Sequence, residues 1–195
     1  MEEILLEPGI NQRIAVRVRD LRGRRGLSLE ALADASGVSR SMISLIERGE
    51  SSPTAVILER LATGLGVSLA TLFEAPAAAP HPVSRRPDQI EWRDPASGYL
   101  RRNVSPGGFP SPIQIVEVVF PAAARVAYET AARPGVTHQQ VWVLEGTIEV
   151  VLGDECFELR AGDCLAMVLD RPITYHNPTS TPARYCVVIV ASPPA

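Results

Sequence analysis

Lysine is absent from this chain: all 19 basic side chains are arginine. This reads as base composition of the gene, though arginine also suits forked contacts to phosphate and guanine. Cysteine is scarce. Cys156, Cys164 and Cys186 all fall in the second half and form no C-x-x-C pair, and an odd count argues against a closed disulfide set. They read as small buried apolar residues in a reducing cytosol. No apolar run is long enough to span a bilayer, and the acidic start Met1-Glu2-Glu3 is unlike a signal peptide, so the expectation is a cytoplasmic protein with no membrane partner. No glycine-rich phosphate loop occurs, and no serine or cysteine has a motif-level base partner; the chain reads as a non-enzyme. A formal net charge of -3 excludes a protein that coats nucleic acid by bulk charge.

What is present changes character along the 195 residues, a length that suits one large domain or two small ones, each with its own core. Arg13, Arg17, Arg19, Arg22, Arg24 and Arg25 crowd the start, interrupted only by Asp20. From about Ile10 to Phe73 the apolar period is helical. Ile10, Ile14, Val18 and Leu21 mark a first helix ended by Gly23 and Gly26. Ser28 is a good N-cap for a second helix, with Leu29, Leu32 and Ala33 inward. Ser39 caps a third, with Ile43 and Ile46 inward. Pro53-Thr54 opens a fourth over Val56, Ile57, Leu61 and Leu65, which Gly66 stops. Ser68 begins a last short helix with Leu69, Leu72 and Phe73.

The stretch from Ala75 to Pro87 has too many prolines and too little apolar bulk to pack, and reads as a semi-extended linker. From about Gln89 the period drops to two. Strands are expected over Ile113–Phe120, Val141–Leu144, Ile148–Leu152, Cys156–Leu159, Cys164–Val168 and Tyr185–Val190, with turns at Gly146, Gly153-Asp154 and Ala161-Gly162-Asp163. Many short, evenly spaced strands suggest a sandwich or small barrel.

A helix-turn-helix needs a small residue at the sharp turn, an apolar residue after it, and a second helix whose first turn is polar and exposed. Gly37, Val38 and the run Ser39-Arg40-Ser41 meet those demands. The segment resembles the five-helix DNA-binding domain of the phage-repressor, or XRE, family. That resemblance implies Ser39, Arg40 and Ser41 at base edges, with Ser44 one turn on and Leu45 against a thymine methyl. Arg40 is the first candidate for guanine. Ser28 and the amide of Leu29 would face a phosphate from a helix N-terminus. Arg48, Gly49 and Ser51 follow, where the family contacts backbone. Glu47 and Arg22 correspond to a structural ion pair.

In the second half, Val143 to Val150 around Gly146, then Leu159-Arg160-Ala161-Gly162-Asp163, then Asn177-Pro178, resemble the motifs of the cupin family, a double-stranded β-barrel or jelly roll. The metal-binding pattern of that family is broken. Gln140 stands where a ligand glutamate would be, His138 lacks a His-x-His partner, Ile173 occupies the final histidine position, and His176 points away from Ile173 and Tyr175 by alternation. No metal or other cofactor is therefore expected. The expected inner face carries His138, Gln140, Trp142 and Leu144 from one strand and Ile173 and Tyr175 from another. Such a set suits either a small-molecule pocket or a filled core.

The resulting expectation is a multi-domain α plus β protein: a helix-turn-helix domain over 1–74, a linker over 75–88 and a cupin barrel over 89–195. It would regulate transcription as a homodimer on a double-stranded operator, with the barrel dimerising or sensing a small-molecule effector. A cupin metalloenzyme, such as a dioxygenase or isomerase, with an attached DNA-binding domain is the alternative. An antitoxin-like partner of another protein is a third.

Overall fold

The computed structural model describes residues 9–74, 81–129 and 136–191. Residues 75–80, the alanine- and proline-rich start of the expected linker, lie outside them.

Among the described residues four α-helices form the N-terminal half: α1 (Ile10–Arg24), α2 (Leu29–Ser36), α3 (Arg40–Glu47) and α4 (Ala55–Gly64). Each forms where an apolar stripe at helical spacing meets a cap. Ser28, Ser39 and Thr54 accept from Ala31 N, Met42 N and Ile57 N respectively, which satisfies amide groups that have no partner inside the helix. The stripes converge: Ile14, Val18, Leu32, Ile43, Leu58 and Leu61 are all fully buried, and truncating one of them to alanine costs roughly 2–5 kcal/mol. Two details differ from expectation. α1 runs through Gly23, and α4 buries Ala55 and Leu58 more deeply than Val56 and Ile57. The fifth helix is a 3₁₀ segment, Leu69–Phe73, rather than an α-helix. Five residues allow little more than one turn, and Ser68 closes it tightly by accepting from Thr71 N.

Among the described residues the second half contains ten antiparallel strands in two sheets. They are β1 (Glu91–Arg93), β2 (Leu100–Asn103), β3 (Ile113–Phe120), β4 (Arg125–Tyr128), β5 (Thr137–Glu145), β6 (Thr147–Leu152), β7 (Glu155–Arg160), β8 (Cys164–Val168), β9 (Ile173–His176) and β10 (Ala183–Ala191). One sheet runs β1-β2-β3-β10-β5-β8 and the other β4-β9-β6-β7. The expected closed barrel is corrected to two open sheets, since among the described residues no ladder joins their edges. The sheets meet through side chains, with Val116, Val141, Val143, Ile148 and Val150 fully buried between them. Asn177 explains the Asn-Pro motif. It is fully buried, its amide donates to the carbonyls of Phe120, Pro121 and Thr181, and its Oδ1 accepts from Thr179 N and Oγ1. One side chain thus ties the β9–β10 loop to the end of β3.

The two halves pack together. Asp94, buried beside β1, accepts from Ala55 N at 2.9 Å with Oδ1, and its Oδ2 accepts from Ser97 N and Oγ. A carboxylate from the sheet domain therefore caps α4 of the helical domain, where the helix dipole favours negative charge. Phe73 stacks near Trp92 at 5.3 Å, Asn103 donates to Ala70 O, and Arg60 pairs with Glu129.

Candidate DNA-binding face and ligand cavity

Gly37 makes the helix-turn-helix turn. At φ +65° it sits in the left-handed region, and its N–H donates to Ala33 O at the end of α2. Val38 is then buried and fixes the crossing of α2 and α3. The turn exposes Ser39, Arg40 and Ser41 together, with the two serine hydroxyls 3.2 Å apart. Ser44 and Leu45 are half-buried on the same helix. Arg40 is held by Glu30 of α2 at 2.7 Å, and both side chains are largely exposed. Ser28 is exposed and engaged as the cap of α2, beside half-buried Leu29. Arg48 forks onto Glu50 with two bonds of 2.8 Å and also donates to Ser44 Oγ. The eight residues proposed for DNA therefore lie on α2, α3 and their caps.

Behind that face stands the expected ion pair. Arg22 of α1 grips buried Glu47 of α3 with bonds of 2.6 and 2.8 Å, and Arg19 Nη2 donates to Glu47 O. Three more arginines of the run are engaged within the domain: Arg17 with Glu74 and Thr71 O, Arg24 with Asp20, and, after the helix, Arg25 with Gly66 O. Much of the basic run is thus tied to partners within the domain, with Arg19 and Arg24 still largely exposed.

The sheet domain overturns one strand face. Residues Thr137, Gln139, Val141 and Val143 of β5 point inward, while His138, Gln140 and Trp142 point outward and Leu144 is half-buried. Trp142 is 50% exposed. A strand shows alternate residues to opposite faces, so a choice off by one residue reverses the whole set. Both sets on β5 contain apolar residues, and the expected face followed the cupin ligand register at His138 and Gln140, which the fold places outward. Ile173 and Tyr175 of β9 face inward as expected, and His176 faces away, bonded to Glu149 at 2.8 Å. The cysteines are also corrected: Cys156 and Cys164 are exposed and Cys186 is half-buried, because all three occupy outward strand positions.

Between the sheets lies a cavity of about 70 Å³, room for several waters. Its polar lining from the sheet half comprises Arg101, Glu129, Thr137, Gln139 and the phenols of Tyr99, Tyr128, Tyr175 and Tyr185. Glu59, Ser68 and Leu69 of the helical domain also line it. Tyr175 and Tyr185 stack at 5.9 Å, Tyr99 and Tyr128 bring their hydroxyls to 3.2 Å, and Gln139 donates to the Tyr175 hydroxyl. Burial pushes all four phenols above the ordinary tyrosine range, and the nearby Arg101 charge pulls each back only in part. All four are neutral hydroxyls at physiological pH.

Sequence reasoning passed over Arg101, although a signal existed. Adjacent arginines on one strand must face opposite ways. Arg102 faces out to Glu117, Glu91 and Gln89, so Arg101 faces in, opposite inward Val118. These interior groups do not fit the metal ion of metal-binding cupins. A guanidinium and neutral phenols are not ligands for one, and among the described residues no three His, Cys, Asp or Glu side chains converge.

Comparison with known proteins agrees with both halves. A helix-turn-helix family model, HTH_3, matches residues 18–72. The HTH-type transcriptional regulator SutR of Escherichia coli K12 is 30% identical over 167 residues, covering 84% of this chain and 86% of that protein. The HTH-type transcriptional regulator PuuR of the same strain is 29% identical over 185 residues, covering 91% and 93%. A crystal structure of an HTH_3 family transcriptional regulator from Vibrio cholerae matches with a TM-score of 0.76 at 27% identity, over 93% of this chain and 96% of that one. The likeness therefore extends beyond the helix-turn-helix to the sheet domain. With its capped α2–Gly37–α3 turn and full-length relatives, the chain belongs to the XRE-type helix-turn-helix transcriptional regulators.

Proposed function

We propose that this regulator is a cytoplasmic, sequence-specific DNA-binding homodimer whose sheet domain senses a small molecule and is not an enzyme. In this reading Ser39, Arg40, Ser41, Ser44 and Leu45 read base edges in the major groove, while Ser28, the Leu29 amide and Arg48 hold the backbone. The observation that carries the sensing role is the shared cavity. Glu59, Ser68 and Leu69 from the DNA-binding half stand on the same cavity as Arg101 and the tyrosines. A molecule bound there touches both halves, so its binding energy can favour one arrangement of them over another.

A different face supports the homodimer reading. A two-fold dimer doubles the phosphate contacts and matches a palindromic operator. Trp142 stands on the outer face of the larger sheet, opposite Cys186 on one side and Cys164 on the other. Half-exposed Trp142 and exposed Ile113 give that face the apolar character of a surface met by a second copy.

A mobility-shift assay with the chain's own upstream DNA tests the reading. Arg40→Ala is expected to weaken specific binding by about 1–3 kcal/mol and relax the preference for guanine. Binding unchanged by that substitution, or absent at low salt, would sink the assignment.

A further inference from the structure

Arg101 is an unusual residue to find where it lies. It is 6% exposed, and its Nε and Nη2 have no hydrogen-bond partner among the described residues. Its neighbour Arg102, equally buried, has Glu117, Glu91 and Gln89. A guanidinium is a permanent cation, and an unpaired buried cation is costly to the fold. The one aromatic contact, 5.7 Å from the Phe73 ring, lies on the side of the helical domain. The cavity lining supplies four phenol hydroxyls around the fork and two carboxylates, Glu59 and Glu129; Glu129 is paired with Arg60, and neither forms an ion pair with Arg101, while Val118, Val126 and Ile173 make part of the wall apolar.

Deepening the sensing role on which it rests, we propose that the cavity binds a small organic monocarboxylate, its two oxygens on the Arg101 fork and on the phenol hydroxyls, its short carbon tail against the apolar wall. Forked pairing is what guanidinium does best with a planar carboxylate. Neutral phenols add donors without adding charge. The volume admits only a few heavy atoms, and the apolar wall disfavours a strongly hydrated inorganic dianion. Arg101 also touches Phe73, which packs on Trp92 at the base of the helical domain. The ligand's charge is thereby delivered beside the contact between the two halves.

The test uses the full chain without DNA, with propionate as the probe and propionamide, inorganic phosphate and propylammonium as controls at equal ionic strength. Calorimetry and thermal unfolding are expected to show saturable binding and stabilisation by propionate alone. Arg101→Met is expected to fold, to match or exceed the unliganded wild type in melting temperature, and to lose the response. Tyr175→Phe keeps the ring and is expected to weaken propionate about tenfold; it decides the matter if Arg101→Met does not fold. Equal stabilisation by propionamide or phosphate, no response to propionate, or a response retained in Arg101→Met overturns the proposal. Repeating the mobility shift with propionate separates the two readings: binding that leaves the DNA affinity unchanged upholds the carboxylate site and overturns sensing.

Discussion

Glu30 holds Arg40 across the helix-turn-helix turn, and in doing so places a carboxylate on the face proposed for DNA. The pair is solvent-exposed, so breaking it costs little. Glu30→Gln should therefore release Arg40 and remove a repulsive charge. The expected outcome is tighter DNA binding by about 0.5–1 kcal/mol, a factor of roughly two to five, read by titration at fixed salt. Looser binding would mean that Glu30 orients Arg40 for its base. The caps and turn of this motif were legible in the sequence because they act locally: Ser28, Gly37 and Ser39 work through backbone groups a few positions away. Arg101 shows the opposite. Its meaning depends on Val118 across the ladder and on which carboxylates fail to reach it.

At the scale of elements, the helices were legible because a stripe at helical spacing has one buried solution. Strand existence was legible too, as β3, β6, β7 and β8 fall where alternation put them. Strand facing was not: β5 carries valines on one side and Trp142 on the other, and only pairing with β10 and β8 decides between them. The short strands β1, β2 and β4 were also hidden, because three or four residues carry too little pattern to separate from loop. The loop after β9 depends on one side chain. Asn177→Ala would strand the buried carbonyls that it now satisfies. The expected loss is at least about 2 kcal/mol, seen as a lower urea midpoint with an unchanged slope.

At the scale of the whole molecule, the outer face of the larger sheet carries the dimer reading. Trp142→Glu should leave the monomer folded, since the side chain is half-exposed, and should shift sedimentation equilibrium to a monomer. Operator affinity should fall with it, because paired half-sites would no longer be bound together. A dimer that survives this change would place the interface elsewhere. The contact between the two halves is likewise a property of the assembled chain. Asp94 caps a helix 39 positions earlier in sequence, and no local pattern announces that.

The sequence by itself determined the family of the DNA-binding half, the place of its turn and caps, and the Arg22–Glu47 tie, because each depends on residues close in the chain or in fixed motif register. The tertiary structure alone decided which face of β5 is interior, that two open sheets replace a closed barrel, and that Arg101 stands unpaired in a tyrosine-lined cavity touching both halves. Those facts arise from long-range pairing and burial. A side chain's environment is then set by distant neighbours, which local spacing does not encode.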